Sequence, residues 1–147
     1  MNAAVNWEST LAGILTEFSC QTGTIHKAAG TEAVLHLIYQ IGVPEALVPK
    51  ISVIPFGKGI AGAAAETREP VELCNLQQDL GGVAKPDARQ TGVSGSLAVP
   101  IFSLANDKVI GTLGIGKYAP YTFTDEEKAR LAGHARKIAV YFENKEV

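Results

Sequence analysis

The spacing of hydrophobic residues predicts a long amphipathic helix near each end of the chain. From Trp7 to about Cys20, apolar residues recur at the three- and four-residue intervals of one helix face. Thr124 and Glu127 have the spacing of a capping box, which predicts that a second helix begins there. Such stripes can cover a sheet or extend into a dimeric bundle, and the pattern leaves both arrangements open. The stripes consist of Trp7, Leu11, Ile14, Leu15 and Phe18, and of Leu131, Ala135, Ile138, Ala139 and Phe142.

Between these helices, short apolar runs predict β-strands that fold back on one another. Residues 24–29 and 34–40 predict a first hairpin, and a further strand is expected at 71–76. Residues 96–102 and 108–117 predict a second hairpin, because the segment between them is too short for the helix that joins parallel strands. The predicted sheet is therefore antiparallel.

Glycines stand out at two places. Gly114 and Gly116 share one face of the last predicted strand, where a helix or a ligand could approach the bare backbone, and close packing of a helix is the favoured reason. Gly57, Gly59 and Gly62 spell G-x-G-x-x-G, the fingerprint of a dinucleotide-binding loop. That fingerprint requires a parallel βαβ unit, which the hairpins contradict. We therefore interpret these three glycines as a tight joint between a strand and a short helix at about 60–67.

Composition indicates one globular domain over residues 1–147. The chain is 46% hydrophobic and 19% charged with a net charge of -2, so we expect neither nucleic acid nor a membrane surface as a partner. No signal peptide or membrane span is evident, which favours the cytoplasm. Cys20 and Cys74 lie far apart without a C-x-x-C motif, so reduced thiols are expected and neither a zinc site nor a disulfide framework is.

The order of these elements, together with five short motifs, resembles the GAF domain family. The motifs are G-I-A-G (59–62), E-T-R-E-P-V (66–71), S-L-A-V-P-I (96–101), V-I-G-T-L (109–113) and F-T-D-E-E (123–127). The resemblance implies an α+β sandwich with a GAF/PAS-like central antiparallel sheet of five to six strands. It places the terminal helices on one face and a ligand pocket, closed by short helices and loops, on the other. It also implies that Cys20 and Cys74 are unlinked, because the family's strand order keeps their segments apart.

Within such a fold, the connection over residues 75–94 has the length of a binding loop. This loop and its flanks supply polar groups for an otherwise apolar pocket, with Phe56 and Cys74 as possible walls. The predicted ligand-binding residues are Phe56, Cys74, Asn75, Asp79, Lys85, Asp87, Arg89, Ser94 and Ser96.

GAF domains are mostly small-molecule sensors in signalling proteins and are often dimeric. The leading hypothesis is accordingly a cytoplasmic sensor that binds an unidentified small molecule, without a cofactor, and forms a homodimer through its terminal helices. Because the chain ends at Val147, a separate output protein is expected to carry the signal. A degenerate domain that acts only in dimerisation is a further alternative.

A redox enzyme is the main alternative. The chain resembles the free methionine (R)-sulfoxide reductases, a branch with one cysteine where this chain has Ala61 and a second at about Arg89. Cys74 would then be the catalytic thiol, although it lacks an obvious resolving partner.

Two other site types are disfavoured. The cyclic-nucleotide-binding branch of the family is marked by Asn-Lys, Phe and Asp-Glu, whereas this chain has Gly116-Lys117 and a closer spacing from Phe123 to the acidic pair Asp125-Glu126. A hairpin centred on Thr31 would place His26 and His36 opposite one another, with His134 or a carboxylate as a third metal ligand. No standard motif supports that set, so no metal site is predicted.

Overall fold

An antiparallel sheet organises the computed structural model of this chain, which describes residues 5–28, 32–74 and 93–143. Its six strands lie in the order β3-β2-β1-β6-β5-β4, so that the first and last strands of the chain pair at the centre. The elements in chain order are α1 (Trp7–Phe18), β1 (Thr22–Ala28), β2 (Val34–Ile41), a 3-10 turn (Glu45–Leu47), α2 (Val48–Ile51), β3 (Val53–Pro55), α3 (Gly59–Thr67), β4 (Val71–Leu73), β5 (Gly95–Phe102), β6 (Val109–Lys117) and α4 (Asp125–Glu143).

Both predicted hairpins are confirmed. β1 pairs antiparallel with β2, and β5 pairs antiparallel with β6. β3 also pairs antiparallel with β2, at the edge of the sheet, so the glycine-rich segment that follows it does not belong to a parallel βαβ unit. The expected α+β architecture is present.

The terminal helices cover one face of the sheet, which we call the helix face. Every apolar stripe residue of α4 is buried, as are those of α1 except Trp7, and they pack with Ile25, Leu97 and Leu113 of the central strands. Burial of this continuous apolar surface supplies the main driving force for the fold. The stripes therefore cover the sheet, which is one of the two arrangements that the sequence left open.

Local hydrogen bonds determine where the terminal helices begin and end. The Thr124 hydroxyl accepts from the Glu127 N–H at 3.0 Å, and the Glu127 carboxylate accepts from the Thr124 N–H at 2.8 Å, which confirms the capping box. At the other end of the chain, α1 stops where Ser19 adopts a left-handed conformation with φ of 54°. The helix is therefore slightly shorter than predicted.

The segment between β2 and β3 contains the 3-10 turn and the short helix α2. Pro49 lies in the first turn of α2. A proline suits this position because it lacks the N–H that the first helical turn leaves unbonded, and its φ suits a helix start. Within the described ranges, no helix combines the length and hydropathy needed to cross a membrane.

Candidate functional site

A cavity of about 300 Å³ lies on the face of the sheet opposite the terminal helices. The central strands form its floor, the α2 and β3 segment forms a side wall, and the start of α3 closes it. Its lining is mostly apolar, with a few hydroxyl groups and one imidazole on the floor. The floor side chains are Thr22, Thr24 and His26 of β1 and Ser96 and Ala98 of β5.

The glycine-rich joint brings the start of α3 to the edge of the cavity. Gly57 and Gly59 have φ of 90° and 66°, a backbone region that favours glycine. A Cβ on Gly62 would lie 2.5 Å from the carbonyl oxygen of Pro55, so only glycine lets α3 approach β3 this closely. The interpretation of these glycines as a strand-to-helix joint is therefore confirmed.

The cavity has an electropositive side. Lys58, which precedes α3, lines it together with Gly59, Ile60 and Ala61 of the first helical turn. The first N–H groups of a helix have no partner within the helix, and no side chain caps this end. Lys50 also lines the cavity, and no Asp or Glu does so among the described residues. An uncharged or anionic molecule suits this side better than a cation.

The paired glycines of β6 form part of the cavity floor. Helix packing was favoured over the approach of a ligand as the reason for Gly114 and Gly116, and both glycines line the cavity. The opposite face of β6 carries Leu113, which packs against the helices. A Cβ on Gly116 would lie 2.6 Å from Thr22 Oγ1 and 2.8 Å from a Val93 methyl group. At Gly116, bare backbone therefore makes room for the side chains of Thr22 and Val93, which also line the cavity.

His26 is the most deeply buried polar residue of the lining, with 1% of its surface exposed. Its Nε2 lies 2.9 Å from the carbonyl oxygen of Ile51, the last residue of α2. Burial lowers the pKa of His26 below its ordinary value of 6.5, and the hydrogen bond to Ile51 opposes this shift. The ring is therefore neutral near pH 7 and ties α2 to the sheet.

The two histidines of the first hairpin do not face each other, contrary to the arrangement considered above. His26 pairs with Leu37, and His36 pairs with Lys27, so the hairpin is one residue out of the register that a turn centred on Thr31 would give. A shift of one residue turns a side chain to the other face, and His36 is exposed. No group of three His, Cys, Asp or Glu side chains within the described ranges is arranged to hold a metal ion.

The predicted ligand-binding residues fall in different places. Ser96 lines the cavity floor. Phe56 is half-buried in a small cluster with Leu35 and Ala65, and the buried Ser94 donates its N–H to the carbonyl of Lys117 at 2.7 Å. Neither they nor the exposed Cys74 is among the lining residues of the cavity. The remaining residues of the predicted set lie outside the described residues: Asn75, Asp79, Lys85, Asp87 and Arg89.

Sequence reasoning overlooked the polar side of β1. Thr22, Thr24 and His26 alternate along a strand whose other face is apolar, and this period of two was the available signal. This alternation places polar side chains on one face of a strand at the centre of the sheet. The wall formed by α2 carried no comparable signal.

The residues that were compared with the cyclic-nucleotide-binding pattern have structural roles. Lys117 Nζ donates to the carbonyl oxygen of Phe18 at 2.7 Å and caps the last turn of α1. Phe123 is buried against the helices, and Asp125 starts α4. None of the three lines the cavity.

Both cysteines are free, which confirms that Cys20 and Cys74 are unlinked. Burial of Cys20 raises the pKa of its thiol to about 11, so the reactive thiolate is scarce at neutral pH. Cys74 is exposed at the end of β4. At Ala61, where the sulfoxide reductases are expected to have a cysteine, a methyl group lines the cavity.

Comparison with known proteins agrees with this architecture. The GAF domain family model matches residues 8–143. The GAF domain of a phosphoenolpyruvate-protein phosphotransferase from Coxiella burnetii has a TM-score of 0.77 at 21% identity, covering 99% of this chain and 87% of that one. The corresponding Acinetobacter domain has a TM-score of 0.72 at 16% identity, with coverages of 94% and 82%.

An enzyme is also similar in fold. Free methionine-R-sulfoxide reductase from Neisseria meningitidis, solved with its substrate, has a TM-score of 0.72 at 21% identity, covering 92% of this chain and 74% of that one. At these identities, the similarity concerns the fold alone. No curated protein matches the sequence.

Proposed function

Because the chain belongs to the GAF domain family, we propose that it is a sensor domain that binds a small molecule in the cavity and passes the signal to a separate protein. The observation that carries this proposal is the cavity itself. A pocket with an apolar lining and a few polar groups is typical of small-molecule sites, and its volume suits a compact ligand. Its position also matches the face that the family resemblance assigns to a ligand.

The sheet offers a route from the cavity to the terminal helices. Side chains of β1, β5 and β6 point alternately to the two faces, so the strands that form the cavity floor also carry the core under α1 and α4. A ligand that displaces the floor therefore acts on the packing of both helices. We propose that a homodimer formed through these helices, or their contact with an output protein, registers the change.

The outer surface of α4 supports the dimer proposal. Val140 and Tyr141 are each 44% exposed, and Leu104 of the β5–β6 turn is 57% exposed. Apolar side chains on a helix surface favour association with another protein surface. For location we keep the cytoplasm, because an exposed free thiol such as Cys74 suits a reducing compartment.

The sulfoxide reductase alternative has less support. Among the described residues, no cysteine lines the cavity, and Cys74 lies outside it. The sensor proposal requires only that a ligand binds in this cavity, and it requires no reactive cysteine.

The test combines native mass spectrometry of freshly purified protein with a thermal-shift screen of metabolites. We expect a retained molecule or a compound that raises Tm, because a ligand that binds only the folded state stabilises it. Ala98 is buried and faces the cavity, so Ala98→Leu should fill space there and weaken binding by at least about tenfold. The matched control is Ala12→Leu on the exposed side of α1.

Two results would contradict the sensor proposal. One is unchanged affinity in Ala98→Leu, which would place the ligand elsewhere. The other is the absence of both a retained molecule and a stabilising compound. The same spectra report the mass of the assembly, and a monomer at micromolar concentration would contradict the dimer.

A further inference from the structure

We infer that His26 determines specificity in this cavity by accepting a hydrogen bond, through Nδ1, from an uncharged N–H or O–H group of the ligand. The inference rests on the proposed function, because it concerns the same cavity. It adds a chemical class: a small, uncharged or anionic organic molecule that carries such a donor next to an apolar body.

The tautomer follows from the hydrogen bond to α2. Nε2 of His26 lies 2.9 Å from the carbonyl oxygen of Ile51. A carbonyl oxygen only accepts hydrogen bonds, so Nε2 carries the proton and donates it. In a neutral ring, Nδ1 then has a free lone pair and can only accept.

Nδ1 is buried without a partner. It makes no hydrogen bond within the described residues, and neither does the hydroxyl of Thr112, which lies opposite His26 on the neighbouring strand. Both residues are 1% exposed. Buried polar atoms nearly always have a hydrogen-bond partner, so an unpartnered acceptor in a side chain that borders a cavity indicates where a bound molecule would donate.

The charges around the cavity define the donor further. Lys58 and the first turn of α3 line the same space, and no described Asp or Glu does so. These positive groups disfavour an ammonium ligand. Burial lowers the pKa of His26, so the ring stays neutral and Nδ1 remains a hydrogen-bond acceptor. The remaining donors are uncharged amide, indole, alcohol or phenol groups.

His26 also has a structural role, since its Nε2 holds the end of α2, and the experiment must separate the two roles. The probes are indole and benzofuran, which have nearly the same shape, although only indole has an N–H donor. Protein with ¹⁵N-labelled histidine reports both ring nitrogens in long-range ¹H–¹⁵N spectra. His36 and His134 serve as internal references in the same spectra.

The inference predicts four results. In free protein, His26 has a protonated Nε2 and an unprotonated Nδ1. Indole binds in the cavity and shifts the Nδ1 resonance, whereas benzofuran binds without this shift. Indole binds at least about fivefold more tightly, the usual worth of one hydrogen bond. His26→Phe removes this preference while still binding benzofuran, and the control His36→Phe on the opposite face retains it.

The contrary results are distinct. Equal affinity for both probes with an unmoved Nδ1 resonance, or a protonated Nδ1 in the free protein, would overturn the role of His26 and leave the cavity as a binding site. If neither probe perturbs the resonances of the cavity residues, the role of His26 fails, whereas the proposed function fails only if the metabolite screen also yields neither a retained molecule nor a stabilising compound. Because the tautomer and the Nδ1 shift are read in the unmodified protein, the test stands even if His26→Phe does not fold.

Discussion

The two faces of the central strands differ in what each contacts. On the helix face, Ile25, Leu97 and Leu113 are fully buried against α1 and α4. On the cavity face, the alternating positions hold the polar residues Thr24 and His26 and bare glycine backbone. The same strands therefore provide a packed core on one side and, on the other, the floor of a mostly apolar cavity with a few hydrogen-bonding groups.

This difference shows that glycine serves opposite purposes on the two faces of β6. Gly111 belongs to the helix face, where a Cβ would lie 2.3 Å from the carbonyl oxygen of His26 and 2.9 Å from Phe142. Gly114 belongs to the cavity face, where a Cβ would meet only the hydroxyl of Thr24 at 3.0 Å and the Leu97 carbonyl oxygen at 3.9 Å. One glycine permits close packing, and the other keeps a cavity open.

The largest effect is expected from adding a methyl group to each of these glycines. Gly111→Ala should lower the free energy of unfolding by about 2 kcal/mol or more, because its Cβ meets backbone that cannot move without disturbing the β1–β6 pairing. Gly114→Ala should change it by less than about 1 kcal/mol, since the Thr24 side chain can rotate away. Urea denaturation followed by the fluorescence of Trp7, the single tryptophan, measures both.

The contrast between the two variants is the informative quantity. Equal destabilisation would mean that the cavity face is packed as tightly as the helix face, which would contradict an open cavity at Gly114. Gly114→Ala is also expected to weaken ligand binding, since the new methyl group enters the cavity floor.

The next effect concerns the pH dependence of stability, because His26 on the cavity face and the carboxylates on the helix side titrate in different pH ranges. Its pKa is below 6.5 in the folded state, so the unfolded chain binds the proton more readily. The contribution of neutral His26 to the free energy of unfolding should therefore be fully present above pH 6.5. Below that value the free energy of unfolding should decrease as the pH falls, by up to about 1.4 kcal/mol per pH unit. Denaturation at pH 7.5, 6.5 and 5.5 measures the slope.

Carboxylates on the helix side titrate in a different window. A hydrogen bond from Thr124 lowers the pKa of Glu127, and one from Ser103 lowers that of Glu143, so their contribution to stability is lost only below their ordinary value of 4.5. His26→Phe should flatten the slope between pH 7.5 and 5.5, and His36→Phe should leave it in place. An unchanged slope in His26→Phe would show that His26 is already protonated in the folded protein or is not buried.

Elements defined by local spacing could be predicted from the sequence. The apolar stripes gave the terminal helices, and the capping box placed the start of α4 at the residue observed. The short connection between β5 and β6 required a hairpin, since no crossover helix fits there. These features depend on neighbours within a few positions, so sequence alone suffices for them.

The cavity depends on contacts between distant segments and was harder to predict. The register of the first hairpin decides which histidine faces inward, and the sequence does not specify where its turn is centred. A hydrogen bond between His26 and Ile51, which are distant in the sequence, joins the wall formed by α2 to the sheet. The period of two predicted on which face of the strand Gly114 lies. It did not predict whether a helix or a cavity borders that face, because this depends on segments distant in the sequence.

The smallest effect is expected at the cysteines. Substituting Cys74 tests whether a cysteine thiol of this protein catalyses sulfoxide reduction. Cys74→Ser should change the free energy of unfolding by less than about 0.5 kcal/mol, because the side chain is exposed. Wild-type protein incubated with free methionine (R)-sulfoxide and dithiothreitol should produce no methionine by liquid chromatography, since the buried Cys20 has a pKa of about 11 and neither Cys20 nor Cys74 lines the cavity. Methionine formation that disappears in Cys74→Ser would assign the catalytic thiol to the end of β4 and replace the sensor proposal with the enzyme. A dithiothreitol reaction without protein supplies the baseline for this comparison.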